Sequence, residues 1–265
     1  MKILSLFDWI ACWYEALLRV WICIDKYYAS EIDKYAIQVA MKNHPDVIQI
    51  WDVNNINFED YKDIDLLIWG SPCQDLSSAN RNWKWLKWLK SGLFYKYLEA
   101  LNTIKPKYFL LENVCMTKEN ENIITELVWV KPIEINSSLV SAQNRKRLYR
   151  TNIPWITQPE DKWIYVKDIL EDKDYICCTQ IWNSKNWGNA EWNHKAYTLR
   201  ASQCNWIKTS KWVRRFTPIE CERLQTLPDN YTEWVSDAQR RKQCGNWWTV
   251  DVIAHIFSFI PKQNG

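Results

Sequence analysis

The chain has 265 residues, carries 34 Lys and Arg against 31 Asp and Glu, and is 47% hydrophobic and 25% charged. This composition is typical of a soluble globular protein, and the length allows one large domain, alone or with a smaller appendage. Apolar runs are too short for a transmembrane helix, and the start lacks the pattern of a signal peptide. The nine cysteines show no metal-ligand spacing, so we expect free thiols in a reducing cytoplasm rather than zinc or structural disulfides.

Glycine is scarce in this sequence and tryptophan is abundant. The usual glycine content of ~7% predicts roughly 19 glycines, whereas the chain has 5 glycines and 19 tryptophans. Tryptophan stands where turns are predicted, as in Asn82-Trp83, Pro154-Trp155, Asn186-Trp187-Gly188 and Asn205-Trp206. Such turns favour glycine because it tolerates positive φ. We interpret these tryptophans as glycines whose UGA codons were decoded with the wrong genetic code; the alternative is a protein that is naturally rich in tryptophan.

Short β-type runs alternate with helical stretches up to about Asn152. The predicted strands are Ile3–Phe7, Tyr28–Glu31, Val47–Ile50, Leu66–Ile68, Tyr108–Glu112 and Ile133–Val140. Apolar residues at i, i+3 and i+4 predict helices at Tyr14–Val20, Asp33–Asn43, Gly92–Ile104 and Glu119–Val128. This alternation predicts an α/β fold with a doubly wound, mainly parallel sheet. Because ligands bind at the carboxyl ends of strands in such folds, the residues that follow each strand are candidates for a site.

The region from about Thr157 to Trp212 is polar and turn-rich, without a clear period. Residues 143–215 hold 14 Lys and Arg against 7 Asp and Glu, a net charge of +7, whereas the whole chain has +3. This charge suits a polyanionic partner, although a solvated basic face would show the same pattern. Helices are predicted beyond it at Pro218–Thr226, Ser236–Lys242 and Thr249–Phe259, and the last is expected to pack on the sheet.

The first predicted strand runs into Phe7-Asp8-Trp9-Ile10-Ala11-Cys12-Trp13, a glycine-rich turn once both tryptophans are read as glycines. Such a turn lets a ligand approach the backbone closely, and Glu31 is placed after the second strand as an acidic residue that binds ribose would be. These two features fit any nucleoside-containing cofactor. An ordinary tight turn would also explain the first of them.

Five further motifs follow along the chain. They are Gly70-Ser71-Pro72-Cys73-Gln74-Asp75-Leu76-Ser77, Leu110-Leu111-Glu112-Asn113-Val114, Gln143-Asn144-Arg145-Lys146-Arg147-Leu148-Tyr149, the run Arg215 to Gln225, and Gly245-Asn246-Trp247-Trp248-Thr249-Val250. In this order and spacing the motifs closely resemble those of the cytosine-5 DNA methyltransferases. The resemblance covers nearly the whole chain except about 157–212.

The resemblance implies a Rossmann-like methyltransferase that uses S-adenosylmethionine, with four catalytic residues. Cys73 would add its thiolate to carbon 6 of cytosine, because carbon 5 by itself is a poor nucleophile. Glu112 would supply a protonated carboxyl or its hydrogen bond near ring nitrogen 3. Arg145 and Arg147 resemble the arginines that steady the base and the nucleophile loop. The neighbouring Arg150 stands where the family often has tryptophan.

The resemblance also implies the binding residues, and no metal is expected. The predicted cofactor-binding residues are Phe7, Trp9, Ile10, Glu31, Asp52, Val53, Pro72, Leu93 and Asn246. The predicted substrate-binding residues are Gln74, Ser77 and Gln143. Five tryptophans occupy motif positions where the family has glycine, and we call them the motif tryptophans: Trp9, Trp13, Trp51, Trp69 and Trp247. If they are tryptophan in nature, their indoles would fill the cofactor site.

The domain and partner expectations follow from the same resemblance. Residues 1–156 would form the catalytic and cofactor-binding domain, 157–212 the target-recognition region, and 213–265 the helices that complete the catalytic domain. The partner would be double-stranded DNA, from which the target base must be flipped out. We expect a cytoplasmic monomer, bacterial or phage-encoded, in a restriction-modification system or a phage.

Two other functions stay open on the sequence alone. A transfer RNA cytosine-5 methyltransferase on the same scaffold would have the same nucleophile and glutamate. A catalytically silent DNA-binding relative is favoured only if the tryptophans are real. A dinucleotide oxidoreductase would share the fold but would leave the Pro-Cys, Glu-Asn-Val and Gln-x-Arg-x-Arg motifs unexplained.

Overall fold

The structure is a computed structural model that describes residues 1–70, 93–172, 174, 176–179, 194–201 and 205–262. Its strands are β1 (Lys2–Leu6), β2 (Lys26–Ser30), β3 (Val47–Gln49), β4 (Leu66–Gly70), β5 (Tyr108–Val114), β6 (Ile133–Asn136), β7 (Lys146–Thr151), β8 (Cys177–Thr179), β9 (Trp206–Lys208) and β10 (Val213–Arg215). Its helices are α1 (Cys12–Arg19), α2 (Lys34–Asn43), α3 (Leu93–Ile104), α4 (Lys118–Val128), α5 (Val166–Ile169), α6 (Pro218–Leu224), α7 (Asp237–Asn246) and α8 (Val250–Phe257).

Seven strands form one sheet in the order β3-β2-β1-β4-β5-β7-β6. The pairs β2–β3, β1–β2, β1–β4 and β4–β5 are parallel, whereas β7 runs antiparallel to β5. All residues of β4 and β5 are buried, which explains why these strands are nearly continuous apolar runs instead of alternating ones. The predicted α/β fold with a mainly parallel sheet is confirmed.

Contacts divide the chain into two compact units. The first comprises Met1–Ile135, Lys146–Ile156 and Ile256–Gly265, and the second comprises Asn136–Arg145 and Thr157–His255. The first unit holds the parallel strands and an apolar core around β4, β5 and α3. The second holds the antiparallel sheet β10-β9-β8 and its own core, which includes Val166, Ile207, Phe216 and Leu224. Most of the predicted carboxyl-terminal segment 213–265 therefore groups with the second unit, while the boundaries of the functional domains stay a prediction.

The predicted elements agree with the structure in type, but the strand predicted over Ile133–Val140 is shorter, and no prediction covers β7, α5, β8, β9 or β10. The run predicted as a strand over Ile133–Val140 ends at Asn136, because the Asn136 side chain accepts a hydrogen bond from the Ser138 amide and starts a 3-10 turn at Ser137–Leu139. The sequence predicts no strand at β7, because Lys146–Thr151 (Lys-Arg-Leu-Tyr-Arg-Thr) lacks the alternation of apolar and polar residues that marks a half-buried strand. No described helix is long and apolar enough to cross a membrane.

Tryptophans occupy left-handed backbone positions in the described chain. Of its eleven non-glycine residues with positive φ, six are tryptophans: Trp9, Trp21, Trp51, Trp129, Trp155 and Trp163. Trp129 ends α4 at φ 61°, the left-handed position after a helix that glycine prefers, and its side chain is 89% exposed. A bulky residue gains no packing there to offset its backbone strain. This backbone supports the interpretation that glycine is the natural residue at these positions.

Trp129→Gly should therefore stabilise the protein. Relief of left-handed strain is worth about 1 kcal/mol, and the exposed indole contributes little packing. Trp212→Gly is the matched control, because Trp212 is also exposed but is absent from the residues with positive φ. Urea unfolding should show a higher midpoint for Trp129→Gly and a lower one for Trp212→Gly. Equal destabilisation by both changes would contradict the glycine interpretation.

Candidate active site

An acidic side chain lies at or just beyond the carboxyl end of each of four strands in the first unit. Asp8 follows β1, Glu31 follows β2, Asp52 follows β3, and Glu112 lies near the end of β5. The four strands belong to the parallel part of one sheet, β3-β2-β1-β4-β5, so their carboxyl ends lie along the same edge. This is the edge at which open α/β sheets bind ligands. The first unit therefore presents four carboxyl groups where a site is expected.

Glu112 forms a buried ion pair with Arg147. The Arg147 Nε lies 2.9 Å from Glu112 Oε1, and the two side chains are only 4% and 12% exposed. Val114 of β5 faces Arg147 across the antiparallel pair, and Glu112 lies two residues before Val114 on the same face. The Arg147 guanidinium also donates to the Lys146 carbonyl at 2.8 Å, which fixes its orientation. The structure thus brings together two of the four predicted catalytic residues.

The turn after β1 is tied to Glu31. The Glu31 Oε2 accepts a hydrogen bond from the Trp9 amide at 3.0 Å, and its Oε1 accepts from the amides of Ile32 and Asp33 at 2.8 Å each. Burial raises the pKa of Glu31, while these amides act in the opposite direction. Each oxygen retains lone pairs that can accept from a ligand hydroxyl. Glu31 therefore holds the predicted cofactor turn in place and can also bind a ribose.

Two of the predicted cofactor-binding residues, Asp52 and Val53, lie just beyond β3. The Asp52 carboxylate accepts from the backbone and side-chain amides of Asn54, both at 2.9 Å, and so starts the 3-10 turn that buries Val53. Trp51 precedes this turn at φ 62° with 61% of its surface exposed. Glycine is the residue that this left-handed position favours.

Three further predicted cofactor residues belong to the first unit. The Phe7 ring packs against Trp69, with centroids 4.8 Å apart, and Ile10 is fully buried in the turn. Leu93 is the first residue of α3 and packs against the apolar core. The indole nitrogen of Trp69 is buried without a hydrogen-bond partner in the described part of the chain, which is unusual for a tryptophan in a core. The indole also packs against the Tyr97 ring, with centroids 5.0 Å apart, so Trp69 is part of the apolar core of the first unit.

Asp8 is a buried carboxyl that sequence reasoning did not select as a site residue. Its Oδ1 accepts a hydrogen bond from the Tyr27 hydroxyl, and its Oδ2 is buried without a partner among the described residues. Burial raises the pKa of Asp8 to about 7, and the nearby Glu31 charge adds to this effect. The sequence did hold a signal for this buried carboxyl. Asp8 closely follows a mostly apolar strand, and the buried Tyr27 lies on the neighbouring strand β2.

Gln143 lies in the second unit and is fully buried. Its Nε2 donates to the Leu224 carbonyl at 2.6 Å and to Gln225 Oε1 at 2.9 Å, while its Oε1 accepts from the Leu199 amide at 3.3 Å. These hydrogen bonds join three separate segments of the unit. Gln143 therefore organises this unit, and its predicted contact with substrate stays a prediction.

Arg145 and Asn246 also belong to the second unit. The Arg145 guanidinium is almost completely buried and donates to the carbonyls of Leu199 at 2.8 Å and Gly245 at 3.3 Å. A side-chain carbon at Gly245 would lie 2.4 Å from backbone atoms of Arg200 and Ala201, so only glycine fits there. Asn246 is the last residue of α7. The roles predicted for Arg145 and Asn246 at the base and cofactor stay predictions.

Four predicted residues lie outside the described part of the chain: Pro72, Cys73, Gln74 and Ser77. The nucleophile assignment therefore depends on the motif alone. Among the described residues, no cluster of three or more His, Cys, Asp and Glu side chains could hold a metal ion.

The residues present fit a nucleoside with a positively charged substituent. Glu31 and Asp52 supply carboxylate acceptors for hydroxyl and amino donors, and Asp8 adds a buried carboxyl with an orphaned oxygen. The partly buried Phe7 supplies an apolar ring on the turn after β1, whereas Ile10 is fully buried. The site therefore has the acceptors and the apolar groups that an adenosyl sulfonium cofactor requires.

The sheet order and the carboxyl groups at the carboxyl-terminal edge of the parallel strands define an α/β, Rossmann-like fold with a candidate ligand site at that edge. The family model for the C-5 cytosine-specific DNA methylases matches residues 1–153 and 138–262. The chain belongs to this family and is a DNA (cytosine-5-)-methyltransferase.

Individual relatives agree with this family. The type II methyltransferase M.NlaX of Neisseria lactamica is 28% identical over 270 residues, which cover 86% of each chain. The orphan methyltransferase M.SPRI of Bacillus phage SPR is 30% identical over 187 residues, 64% of this chain and 42% of the phage protein. The solved methyltransferase EhMeth of Entamoeba histolytica shares the fold with a TM-score of 0.74 at 16% identity, over 99% of both chains.

Glu112→Gln should lower kcat by roughly 10²–10⁴-fold, the usual contribution of a positioned acid or base. Cofactor binding should change little, because Glu112 lies on β5 away from Glu31 and Asp52. Arg147→Gln should also lower kcat, since it removes the guanidinium that orients Glu112. Lys146→Gln is the matched control, because Lys146 is exposed and pairs with the half-exposed Glu134. Equal rates for the Lys146 and Arg147 variants would refute the assigned role of the ion pair.

Asp8 should make the fold less stable as the pH rises. Its pKa is about 7 in the folded chain, against an ordinary value of 3.8, so between these values the folded state holds a proton that the unfolded state has lost. The unfolding free energy should fall through this window by at most about 4 kcal/mol from this group. Asp8→Asn should reduce the decline, whereas Asp60→Asn at an exposed position should leave it as in the parent chain. Urea titrations from pH 4 to 8 measure both slopes, and identical slopes for all three proteins would disprove this account of Asp8.

Proposed function

We propose that the chain transfers the methyl group of S-adenosylmethionine to carbon 5 of a flipped-out cytosine in duplex DNA. The observation that carries this proposal is the buried Glu112–Arg147 pair at the ligand-binding edge of the sheet. The family match and the motif order support it. We place the enzyme in the cytoplasm of a bacterium or a phage-infected cell, as a monomer, with a role in restriction-modification or in phage DNA.

Cys73 serves as the nucleophile in this proposal. Its thiolate adds to carbon 6 of the cytosine, which makes carbon 5 reactive toward a methyl donor. The cofactor, when bound, supplies the electrophilic methyl group. Removal of the proton from carbon 5 and loss of the thiolate then restore the aromatic base.

Glu112 stabilises the electron density that the thiolate pushes into the ring. Its carboxylate is buried and held by Arg147, so it can accept a hydrogen bond from ring nitrogen 3 once the electrons pushed into the ring have drawn a proton from solvent onto that nitrogen. Without the arginine, the buried carboxyl would lose its charge partner and its orientation. Arg147 is therefore a positioning residue for Glu112 in the present structure.

The second unit reads the DNA around the target base. Region 157–212 lies within this unit, and 11 of the 14 Lys and Arg of segment 143–215 belong to it. Buried hydrogen bonds from Gln143 and Arg145 stabilise the framework of the unit while exposed basic residues remain available to phosphates and bases. We propose that exchange of 157–212 with a related enzyme would change the methylated sequence.

The five motif tryptophans are glycines in the functional protein under this proposal. Glycine at Trp9 and Trp51 relieves left-handed strain, and glycine at Trp69 removes a buried indole from behind the cofactor turn. The chain with these five glycines should bind S-adenosylmethionine, and the tryptophan-containing chain should bind it far more weakly. Calorimetric titration of both proteins tests this difference. UGG codons at these positions in the gene would overturn the glycine assignment.

A duplex that contains 5-fluorocytosine at the target position should trap the glycine-containing enzyme covalently. Fluorine blocks release of the base after the thiolate has added and the methyl group has been transferred. Peptide mapping should locate the adduct at Cys73, and Cys73→Ser should give no adduct because a hydroxyl is a far weaker nucleophile. An adduct at Cys12, Cys115 or Cys221 would refute the nucleophile assignment. A matching RNA substrate tests the transfer RNA alternative, and trapping with RNA alone would favour it.

A further inference from the structure

Strand β7 carries two arginines whose side chains lie on opposite faces of the sheet. Arg147 and Arg150 are three residues apart, and successive side chains of a strand alternate between its two faces. Arg147 contacts Glu112 of β5 on one face. On the other face, the Arg150 Nη1 donates to the side-chain oxygen of Asn113 at 3.0 Å. The two arginines therefore hold consecutive residues of β5 from both sides.

Arg150 also binds helix α4, which follows β5 along the chain. Its Nη2 donates to the Glu121 carbonyl at 3.0 Å and to the Thr125 hydroxyl at 3.4 Å. The guanidinium thus joins the carboxyl end of β5 to the middle of α4. Arg150 and its three partners all lie in the first unit, and none of them is a motif tryptophan. The contact therefore involves no position at which glycine is the proposed natural residue.

The side chain of Asn113 is oriented by Arg150. Asn113 is fully buried, and its Nδ2 has no hydrogen-bond partner in the described part of the chain. Its oxygen accepts the hydrogen bond from Arg150, so this contact fixes the amide. Because Asn113 directly follows Glu112, the peptide group that joins them is held by a side-chain contact at each end. A shift of this peptide group would move the Glu112 carboxylate.

Stability alone does not account for a buried arginine at this place. Arg150 is fully buried, and the three acceptor groups that it binds carry no charge. Moving a guanidinium out of water costs free energy that uncharged acceptors offset only in part. An apolar side chain of similar length would fill the same space without this cost. The guanidinium is therefore better explained by what it holds in place.

We propose that Arg150 is a positioning residue for methyl transfer, whose hydrogen bond to Asn113 fixes the end of β5 so that the Glu112 carboxylate meets the cytosine ring. This inference rests on the proposed function. Arg150 acts through Asn113 and the backbone of β5, from the face of the sheet opposite to Glu112. A misplacement of about 1 Å can cost about a hundredfold in rate. Loss of this contact should therefore slow the transfer step and leave the binding of cofactor and DNA unchanged.

Single-turnover kinetics of the full-length chain with glycine at the motif tryptophans test this role. Arg150→Met keeps most of the side-chain length but cannot donate a hydrogen bond, so the rate of methyl transfer at saturating DNA should fall about tenfold. The dissociation constants for S-adenosylmethionine and DNA should not change. Thr125→Val is the matched control, because it removes the longest of the three hydrogen bonds and leaves Arg150 bound to Asn113. Its transfer rate should equal that of the parent chain.

A double-mutant cycle connects the effect to Asn113. Asn113→Ala should slow the transfer step about as much as Arg150→Met, and the double variant should be no slower than either single variant. Asn113→Ala also tests the contact from its other side if Arg150→Met does not fold. Urea unfolding of the same variants in the tryptophan-containing chain should be non-additive as well, since the contact involves no motif tryptophan.

Three results would overturn the inference while leaving the methyltransferase function intact. They are a parent-like transfer rate in folded Arg150→Met or Asn113→Ala, additive losses of rate in the cycle, and a loss of rate in Thr125→Val equal to that in Arg150→Met. The last result would show that Arg150 serves only the general stability of the first unit. A parent chain that binds cofactor and DNA but transfers no methyl group would instead contradict the proposed function, and the inference with it.

Discussion

Antiparallel pairing of β5 with β7 brings a glutamate and an arginine together in the interior of the first unit. Arg147 faces Val114, and Glu112 shares that face of β5, so the guanidinium reaches the carboxyl at 2.9 Å. A shift of the pairing by one residue would send Arg147 to the opposite face and leave a buried carboxyl without its partner. Such a loss costs about 3–5 kcal/mol. The register of these two strands is therefore a condition both for stability and for the candidate chemistry.

Buried ion pairs add little net stability compared with apolar packing of the same volume. Glu112 and Arg147 occupy core positions that leucine or phenylalanine would fill at lower electrostatic cost, which favours a chemical reason for their presence. The same argument applies to Asp8, a fully buried carboxyl that accepts a hydrogen bond from the Tyr27 hydroxyl. Both acids lie at or just beyond the carboxyl ends of strands in one sheet, which is where open parallel sheets bind ligands.

Much of this fold could be predicted from the sequence, because buried parallel strands are apolar bursts and their helices have a clear period. The motif order likewise predicted that Glu112 and Arg147 act at one site. Strand β7 could not be predicted because Lys-Arg-Leu-Tyr-Arg-Thr lacks the alternation of apolar and polar residues that marks a half-buried strand, and the strand depends on β5 for pairing. The hydrogen bonds of Arg145 to Leu199 and Gly245 could not be predicted either, since the destination of a long side chain depends on segments 54 and 100 residues away. The positive φ of Trp129 can be recognised only in the backbone structure, although the scarcity of glycine in the sequence already indicated that tryptophans occupy such positions.

The most direct test of this account is bisulfite sequencing of DNA from cells that express the chain with glycine at the motif tryptophans. The account predicts methylated cytosines within one recurring sequence, and none in cells that express the same chain with Glu112→Gln. Soluble protein that binds S-adenosylmethionine but leaves cellular DNA unmethylated would contradict it.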